Sequence, residues 1–468
     1  MKQGDLIKFF VQNLGSNGEG VGKMGDHYVY VPFALPQEFL SARVLFAKRN
    51  TVFATPKEIL KPSSHRVEPL CPKFGKCGGC QLQHMDYETQ LEFKRECVKQ
   101  NLSKIGGLDV EVLPTVPSQN QWKYRNKVQF PVGERDGKPV VGFFKNDTHT
   151  LVQVDECPLQ DEWAKKMTEA FIEYATKAKI KPYNEKRHEG VLRHLIGRYI
   201  DGQLLVTVVI NGEELPNKEL LVKELKKRFD DFGLFKNINT AKTNVILGKK
   251  TQWLYGRKVI ESRLGDIAFF VRPDSFFQVN FDVMQKIYAR VKDFLKDKKV
   301  DVLVDCFSGS GVLSAGLYQK DVTEYAIEIV PSSTIDADQL KDKNGLINLT
   351  NICGDVAVEL PKIVDKHKGQ KIAVVFDPPR KGVDKNTIDL LIQTKPDVIA
   401  YVSCDSATLA RDLKLLTQNG DYTVETVQPY DMFPQTKHVE TLVCLSYKKP
   451  DGHISVNVEF GESEGQIS

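Results

Sequence analysis

One cysteine, Cys404, has the surroundings of a catalytic nucleophile. It follows an apolar run, residues 398–403, that predicts a buried strand, and Asp405 with Ser406 supplies side-chain oxygens typical of a helix N-cap. In open α/β sheets ligands bind beyond the carboxyl ends of the strands, and a helix N-terminus there favours a thiolate. Glu440 opens a later apolar run and offers a carboxylate base. Together these residues predict covalent chemistry on a substrate held at that edge of the sheet.

A glycine-rich turn, Asp305-Cys-Phe-Ser-Gly-Ser-Gly311, predicts a nucleoside-binding site. A predicted strand precedes it and a predicted helix follows. Glu328 ends the next predicted strand, where a carboxylate can accept hydrogen bonds from both ribose hydroxyls. Ser314 stands where a dinucleotide fingerprint has its third glycine, which argues against a dehydrogenase. The alternative is an ordinary strand-to-helix turn with a solvated glutamate.

A second turn, Asp377-Pro-Pro-Arg-Lys-Gly382, closes another predicted strand. Its two prolines stiffen the backbone and place Asp377 at the rim of the same predicted pocket. A rigid turn of this kind positions a substrate rather than transferring protons. A helix cap followed by a turn would explain the aspartate but not the two prolines after it.

Three cysteines with the spacing C-x5-C-x2-C, Cys71, Cys77 and Cys80, predict a metal centre. The two glycines between the last pair let the backbone wrap closely around a group held by the sulfurs. Cys157, which a proline follows, is the candidate fourth ligand. All-sulfur ligation suits zinc as well as an iron–sulfur cluster, so both stay open, as do three unrelated buried thiols. Cys97, on the following predicted helix, is predicted to be a core residue.

The length of the chain, 468 residues, predicts two or three domains. Residues 1–60 show short strands with turn signals, as in small five-stranded barrels that bind oligonucleotides, although an accessory barrel without a ligand fits equally well. Residues 61–274 are predicted to form a central α+β domain that contains the cysteines. Strands and helices alternate over residues 275–449, which predicts a doubly wound, mostly parallel α/β sheet of the Rossmann type. Residues 450–468 are predicted to be a loosely held acidic tail.

The composition is that of a soluble globular protein. A net charge of +4 permits an RNA partner without requiring one, since a local basic face matters more than the total. The chain has no apolar run long enough to cross a membrane and begins without the apolar stretch of a signal peptide, so we expect a cytoplasmic protein with no membrane partner. Nine cysteines in such a chain indicate a reducing compartment, where thiols serve as metal ligands or catalysts.

Together these motifs resemble the RNA uracil-5-methyltransferase family, in particular its branch that modifies 23S ribosomal RNA and carries an iron–sulfur cluster. The resemblance covers nearly the whole chain, because the first 60 residues are similar to the family's TRAM barrel. The motifs occur in the family's order: Ser275-Phe-Phe-Gln-Val-Asn280, the turns at 305–311 and 377–382, Val402-Ser-Cys404 and His438-Val-Glu440.

The resemblance implies formation of 5-methyluridine in 23S ribosomal RNA, with S-adenosylmethionine as the methyl donor. It implies that Cys404 attacks carbon 6 of the uracil and that Glu440 removes the proton from carbon 5. The target uridine is expected to be unpaired or flipped out of its stack. No obligate protein partner is evident. By the same likeness, the contacts with S-adenosylmethionine are made by Gln278, Phe307, Glu328 and Asp377, and a 4Fe–4S cluster is bound by Cys71, Cys77, Cys80 and Cys157.

Three alternatives differ in substrate or in class. The same reaction on transfer RNA would appear as methylation of transfer RNA instead of ribosomal RNA. A non-catalytic RNA-binding or assembly factor with a zinc-held central domain would bind RNA without forming a covalent adduct. A redox enzyme that uses the cluster is disfavoured by the incomplete dinucleotide fingerprint.

Overall fold

The structure is a computed structural model that describes residues 1–448. The predicted acidic tail, residues 450–468, lies outside the described residues. Among the helices of residues 1–448, none combines the length and the apolar character needed to cross a membrane.

The N-terminal part of the chain is a six-stranded sheet that curls around its own apolar core, in which Val29 and Val52 are fully buried. The curl is tight at Gly22, where an added Cβ would lie 2.3 Å from the carbonyl oxygen of Phe10. The sheet has six strands where a five-stranded barrel is predicted, and residues 13–14 and 51–61 pair although neither segment is among the strands predicted. The strands are β1 (Leu6–Phe10), β2 (Asn13–Leu14), β3 (Gly20–Met24), β4 (His27–Val31), β5 (Phe39–Lys48) and β6 (Thr51–Lys61), in the spatial order β1-β5-β6-β4-β3-β2.

A long helix, α1 (Tyr87–Asn101), follows the cysteine motif and continues as a π-helical turn, Leu102–Gly106. It begins at Asp86, whose carboxylate accepts a hydrogen bond from the N–H of Thr89 at 2.8 Å. Val98 and Leu102 pack into the core of the C-terminal sheet. The segment that carries three of the cysteines is therefore joined directly to the α/β unit.

The central part is a seven-stranded sheet that shares one apolar core with two helices. The helices are α2 (Glu162–Lys177) and α3 (Lys218–Lys226). The strands are β7 (Lys127–Arg135), β8 (Lys138–Phe144), β9 (Leu151–Gln153), β10 (Leu192–Ile200), β11 (Gln203–Ile210), β12 (Phe232–Ile238) and β13 (Lys250–Gly256), in the spatial order β13-β12-β11-β10-β7-β8-β9.

The C-terminal part is a doubly wound α/β unit, as predicted. A hairpin, β14 (Ile260–Leu264) and β15 (Ile267–Val271), precedes it and contributes Ile260 and Phe269 to its core, ahead of the predicted domain boundary at residue 275. The helices are α4 (Phe281–Lys298), α5 (Val312–Leu317), α6 (Pro331–Asn344), α7 (Val356–Lys366), α8 (Lys385–Thr394) and α9 (Ser406–Thr417). The strands are β16 (Val302–Cys306), β17 (Thr323–Glu328), β18 (Leu349–Cys353), β19 (Ile372–Phe376), β20 (Val398–Ser403), β21 (Tyr422–Tyr430) and β22 (Glu440–Tyr447).

The order of these strands, β18-β17-β16-β19-β20-β22-β21, places the switch point of the sheet between β16 and β19. The first five strands run parallel, and β22 inserts antiparallel between β20 and β21. Cys306 and Phe376 pair at the carboxyl ends of β16 and β19, so the turns that follow both strands border one crevice. Ligands of such sheets bind in this crevice.

Candidate active site

The glycine-rich turn begins where β16 ends, and three of its residues take left-handed backbone conformations. The φ angles are 66° at Phe307, 57° at Gly309 and 77° at Gly311. Glycine adopts such angles without strain, whereas Phe307 is a non-glycine residue held in a sparsely populated region, as residues at functional sites often are. Ser314, at the position of the missing third glycine, donates a hydrogen bond at 2.5 Å to the buried carboxylate of Asp305. This hydrogen bond therefore links α5, which follows the turn, to β16, which precedes it.

Glu328 lies at the end of β17, directly beside this turn. Its Oε2 accepts a hydrogen bond from the N–H of Gly309 at 2.9 Å, and its Oε1 accepts one from the N–H of Val330 at 2.7 Å. A carboxylate oxygen has a second lone pair, so both oxygens can still accept from a ligand. The turn thus holds the carboxylate at the crevice.

Asp377 follows β19 and leads into the two prolines. Gln278 donates a hydrogen bond from Nε2 to Asp377 Oδ2 at 3.2 Å, which joins the segment 275–280 to the turn. Burial raises the pKa of Asp377 to about 6, and the hydrogen bond from Gln278 opposes the rise.

Cys404 follows β20 and precedes α9, as its surroundings predict. The Asp405 carboxylate accepts hydrogen bonds from two N–H groups in the first turn of α9, both at 3.0 Å, so it caps the helix. Burial is the main cause that raises the pKa of the Cys404 thiol to about 11; the Glu440 carboxylate raises it further, and Arg380 lowers it. The expected lowering of this pKa by the helix N-terminus is therefore wrong for the free protein, because desolvation outweighs it.

Glu440 begins β22, the antiparallel neighbour of β20. Ser403 pairs with Thr441, which places Glu440 beside Cys404. Glu440 is 1% exposed, and its Oε1 has no hydrogen-bond partner within the part of the chain that the structure describes. Burial, and then the Asp377 carboxylate, raise its pKa well above the usual range of a glutamate. The buried carboxyl group of Glu440 therefore lies next to the thiol.

One cavity of about 1000 Å³ is lined by residues of both turns together with Cys404 and Glu440. The residues that line it without having been assigned a role from the sequence include Arg380 and Phe433. Arg380 stands within a motif noted for its aspartate and prolines, and its charge was the available signal. Phe433 carries no comparable signal, because it reaches the cavity through the fold of a loop. The predicted catalytic and cofactor residues that line this cavity together are Gln278, Phe307, Glu328, Asp377, Cys404 and Glu440.

The four cysteines predicted to bind metal meet at a second cavity of about 140 Å³, with Arg125. All nine cysteines of the chain are free, so none of the four is in a disulfide. Burial raises the pKa of Cys80 to about 12 and of Cys157 to about 11; neighbouring cysteines add to both shifts, and Arg125 opposes them. Across residues 1–448, however, no three His, Cys, Asp or Glu side chains converge as ligands of a single metal ion would.

Comparison with known proteins decides the family. The model of the tRNA (uracil-5-)-methyltransferase family matches residues 86–448, and that of the TRAM domain matches residues 6–57. The chain belongs to this RNA uracil-5-methyltransferase family. The predicted class of enzyme, an RNA methyltransferase, is therefore confirmed, and the redox and non-catalytic alternatives receive no support.

Relatives of this methyltransferase align over nearly their whole length. It is 37% identical over 452 residues to an RNA methyltransferase of Halalkalibacterium halodurans, covering 96% of this chain and 98% of the relative. It is 36% identical over 450 residues to one of Clostridium tetani, covering 96% and 97%. The crystal structure of Pyrococcus abyssi tRNA (uracil-54, C5)-methyltransferase in complex with S-adenosyl-L-homocysteine is similar, with a TM-score of 0.75, 27% identity, and coverage of 94% and 99%.

Proposed function

We propose that this methyltransferase transfers the methyl group of S-adenosylmethionine to carbon 5 of a uridine in 23S ribosomal RNA, through a transient bond between Cys404 Sγ and carbon 6. The observation that carries the proposal is the meeting of Cys404 and Glu440, from neighbouring antiparallel strands, in the cavity that also contains the glycine-rich turn. A nucleophile, a base and a nucleoside site are the three groups that this chemistry needs.

The residues around the glycine-rich turn fit S-adenosylmethionine. An added Cβ at Gly309 would have no neighbour within 4 Å, so ligand atoms can approach the backbone closely there. Glu328 is placed to accept hydrogen bonds from the ribose hydroxyls. We assign the remaining contacts to Phe307, which offers an aromatic face, and to the hydrogen-bonded pair Gln278 and Asp377. When bound, S-adenosylmethionine supplies an electrophilic methyl group on its sulfonium sulfur.

The thiol is required because carbon 5 of uracil is a poor nucleophile. Attack of the Cys404 thiolate forms the bond from Sγ to carbon 6 and moves the electron pair of the double bond toward carbon 5 as an enolate. Carbon 5 then bonds to the methyl carbon while the bond from that carbon to the sulfonium sulfur breaks, so that S-adenosylhomocysteine would be the leaving group. Arg380 lowers the pKa of Cys404 and so favours the thiolate that attacks. To Asp377, which lines the same cavity, we also assign a hydrogen bond to the polar edge of the base.

Glu440 completes the reaction. Its carboxylate takes the proton from carbon 5; the electron pair of that bond re-forms the double bond, and the bond from carbon 6 to Sγ breaks. The raised pKa makes the ionised Glu440 a stronger base, and Arg380 favours its ionised form. Without this step the RNA would stay bound to the protein.

RNA that contains 5-fluorouridine tests the proposal. When fluorine replaces the hydrogen at carbon 5, Glu440 has no proton to remove and the thiol cannot be eliminated. The adduct with Cys404 should therefore accumulate when S-adenosylmethionine is present. We expect a protein–RNA species that survives denaturing electrophoresis, with the cross-link mapped to Cys404. A cross-link at another residue, or none, would contradict the covalent mechanism.

Two observations bear on which RNA is the substrate. The four-cysteine motif is similar to that of the ribosomal branch, whereas the structural neighbour from Pyrococcus abyssi acts on transfer RNA. Incubation with 23S ribosomal RNA and with transfer RNA transcripts, both free of modifications, separates the two. We expect methyl incorporation into the ribosomal RNA only; incorporation only into transfer RNA would overturn that part of the proposal.

For the cysteine site we propose a 4Fe–4S cluster held by Cys71, Cys77, Cys80 and Cys157. Four free thiols border one cavity, and the partly buried Arg125 offers positive charge that stabilises thiolates. In such a cluster each of the four thiolates would bind a different iron. Tetrahedral zinc would use the same four sulfurs, and the metal analysis below distinguishes the two. When bound, the group would cross-link the cysteine motif to Cys157.

Metal analysis checks this assignment. Protein purified without oxygen should contain iron and acid-labile sulfide in equal amounts, and the Cys80→Ser variant should lose both and unfold at a lower temperature. The matched control is Cys97→Ser, because Cys97 is also half-buried but does not border the cavity. Bound zinc without sulfide in the unaltered protein would contradict the proposal.

The N-terminal sheet offers a surface suited to unpaired bases. Tyr30, Phe53 and Phe46 form a row across β4, β6 and β5, with stacked rings whose centroids are 5.4 and 4.7 Å apart. Arg43 and Lys48 lie on β5 on either side of this row and are exposed. Aromatic faces stack bases, and flanking cations hold phosphates. We propose that this row binds a single-stranded part of the RNA.

Removing the central ring should weaken RNA binding without affecting catalysis. Because stacking on an aromatic ring contributes about 1–3 kcal/mol per base, we expect Phe53→Ala to raise KM for RNA at least about fivefold while kcat stays unchanged. Leu45→Ala is the control, since Leu45 is an exposed apolar residue of β5 outside the row. Equal KM values for the two variants would exclude the row as an RNA contact.

A further inference from the structure

The loop between β21 and β22, residues 431–439, is held by residues from distant parts of the chain. Four successive carbonyl oxygens, those of residues 432–435, each accept a hydrogen bond from outside the loop. The donors are Asn280 Nδ2 to Met432 (3.3 Å), Lys94 Nζ to Phe433 (3.0 Å), Tyr124 Oη to Pro434 (3.1 Å) and the N–H of Leu82 to Gln435 (3.1 Å).

The centre of this arrangement is a pair of buried glutamines. Gln90, on α1, accepts a hydrogen bond from the N–H of Gln435 at 3.1 Å and donates one to its side-chain oxygen at 3.0 Å. Gln90 donates a second hydrogen bond, at 3.0 Å, to the carbonyl oxygen of Met85. Gln435 is 2% exposed and has a φ angle of 70°, which a non-glycine residue keeps only where its surroundings impose it.

An ion pair between Lys94 and Asp431 fixes the start of the loop. Both side chains are completely buried. Burial lowers the pKa of Lys94, and Asp431 opposes that shift. Buried ion pairs gain little net stability because of the cost of desolvation, so their value here is the geometry that they impose. The hydrogen bonds and this ion pair therefore hold the loop in one conformation before any substrate binds.

The fixed loop delivers Phe433 to the main cavity. Phe433 borders that cavity with Cys404, Glu440 and the Asp377-Pro-Pro-Arg380 turn. Its ring contacts the ring of His438 edge-on, with 6.0 Å between the centroids. Because His438 belongs to the same loop, the loop itself orients the Phe433 ring. An aromatic side chain therefore borders the compartment that also contains the thiol and the carboxyl group.

We propose that Phe433 is the surface on which the flipped uracil stacks, and that Gln90 is a positioning residue that orients Phe433 through Gln435. The proposal rests on the proposed function, since it assumes a uracil bound beside Cys404. It assigns the cysteine-bearing segment a part in catalysis, because Gln81 and Leu82, directly after Cys80, donate their N–H groups to the Gln435 carbonyl.

The stacking role of Phe433 is tested by measuring the rate of covalent trapping on 5-fluorouridine RNA, at saturating RNA and S-adenosylmethionine. We expect Phe433→Leu, which keeps an apolar side chain but removes the aromatic face, to slow trapping about 10-fold. Phe433→Tyr, which keeps the face, should stay within about threefold of the unaltered protein. Binding of S-adenosylmethionine should be equal in all three proteins.

The positioning role is tested by combining substitutions. Gln90→Glu keeps the shape of the side chain but removes the N–H donor, and should slow trapping about 10-fold with KM for RNA unchanged. If Gln90 acts through Phe433, the double variant Gln90→Glu/Phe433→Leu should be no slower than Phe433→Leu alone. The control is Gln100→Ala, a glutamine of the same helix that is exposed and remote from the loop.

Each part of the proposal has a result that would contradict it. Trapping by Phe433→Leu within twofold of the unaltered protein would overturn stacking on Phe433. If the double variant slows trapping by the product of the two single reductions, positioning by Gln90 would be overturned, since a residue that only stabilises the fold acts independently. Failure of the unaltered protein to trap RNA would refute the proposed function, and this inference with it.

Discussion

The Cys404→Ala variant is expected to transfer no methyl group to RNA, a loss of about 10⁴-fold or more, as for other enzymes that lose their nucleophile. Without the sulfur, no bond forms at carbon 6 and carbon 5 acquires no negative charge. The measurement is incorporation of labelled methyl groups into ribosomal RNA. Binding of S-adenosylmethionine should be near normal, because the glycine-rich turn and Glu328 are unchanged.

A second cysteine of the same sheet provides the control. Cys353 ends β18 at the same carboxyl edge, but it is exposed and does not border the main cavity. Cys353→Ala should therefore keep full activity. Turnover by Cys404→Ala above background would rule out the covalent mechanism.

The Glu440→Gln variant is expected to stop after methyl transfer. Glutamine has nearly the same shape but cannot take the proton from carbon 5, so the bond from carbon 6 to Cys404 persists. We expect at most one methyl group transferred per protein molecule and a covalent complex with ordinary uridine RNA, seen on denaturing gels. The unaltered protein should show no such complex with this RNA, because elimination releases it.

Two further variants separate this outcome from a general loss of structure. The double variant Cys404→Ala/Glu440→Gln should form no complex. Glu324→Gln alters another buried glutamate of the same sheet, one that does not border the cavity, and should turn over normally. Release of methylated RNA by Glu440→Gln at the normal rate would show that a different group removes the proton.

The sequence predicted the parts of the site that follow strands. β19, β20 and β22 match the predicted strands, because each is a short apolar run bounded by turn residues or by a helix cap. In a doubly wound sheet the residues after such strands share one edge, so Asp377 and Cys404 could be placed together in advance. β21 was missed because it is an edge strand, only partly buried, and contains Pro429.

Other features depend on tertiary contacts and carried no local signal. Phe433 reaches the cavity through hydrogen bonds made by residues more than 300 positions earlier in the chain, such as Lys94. The pKa of Cys404 was misjudged because the sequence indicated the helix N-terminus but not the depth of burial. The extra N-terminal strand β6 contains Pro56 and ends in charged residues, a pattern that obscures its pairing.

The insertion of β22 between β20 and β21 has a consequence during protein synthesis. On the ribosome, the strand that bears the cysteine emerges first, then β21, and only then the strand that bears the carboxylate. The sheet is complete only when this last strand has entered between its two predecessors. A nascent chain therefore contains the thiol before the strand that contains Glu440 has joined the sheet.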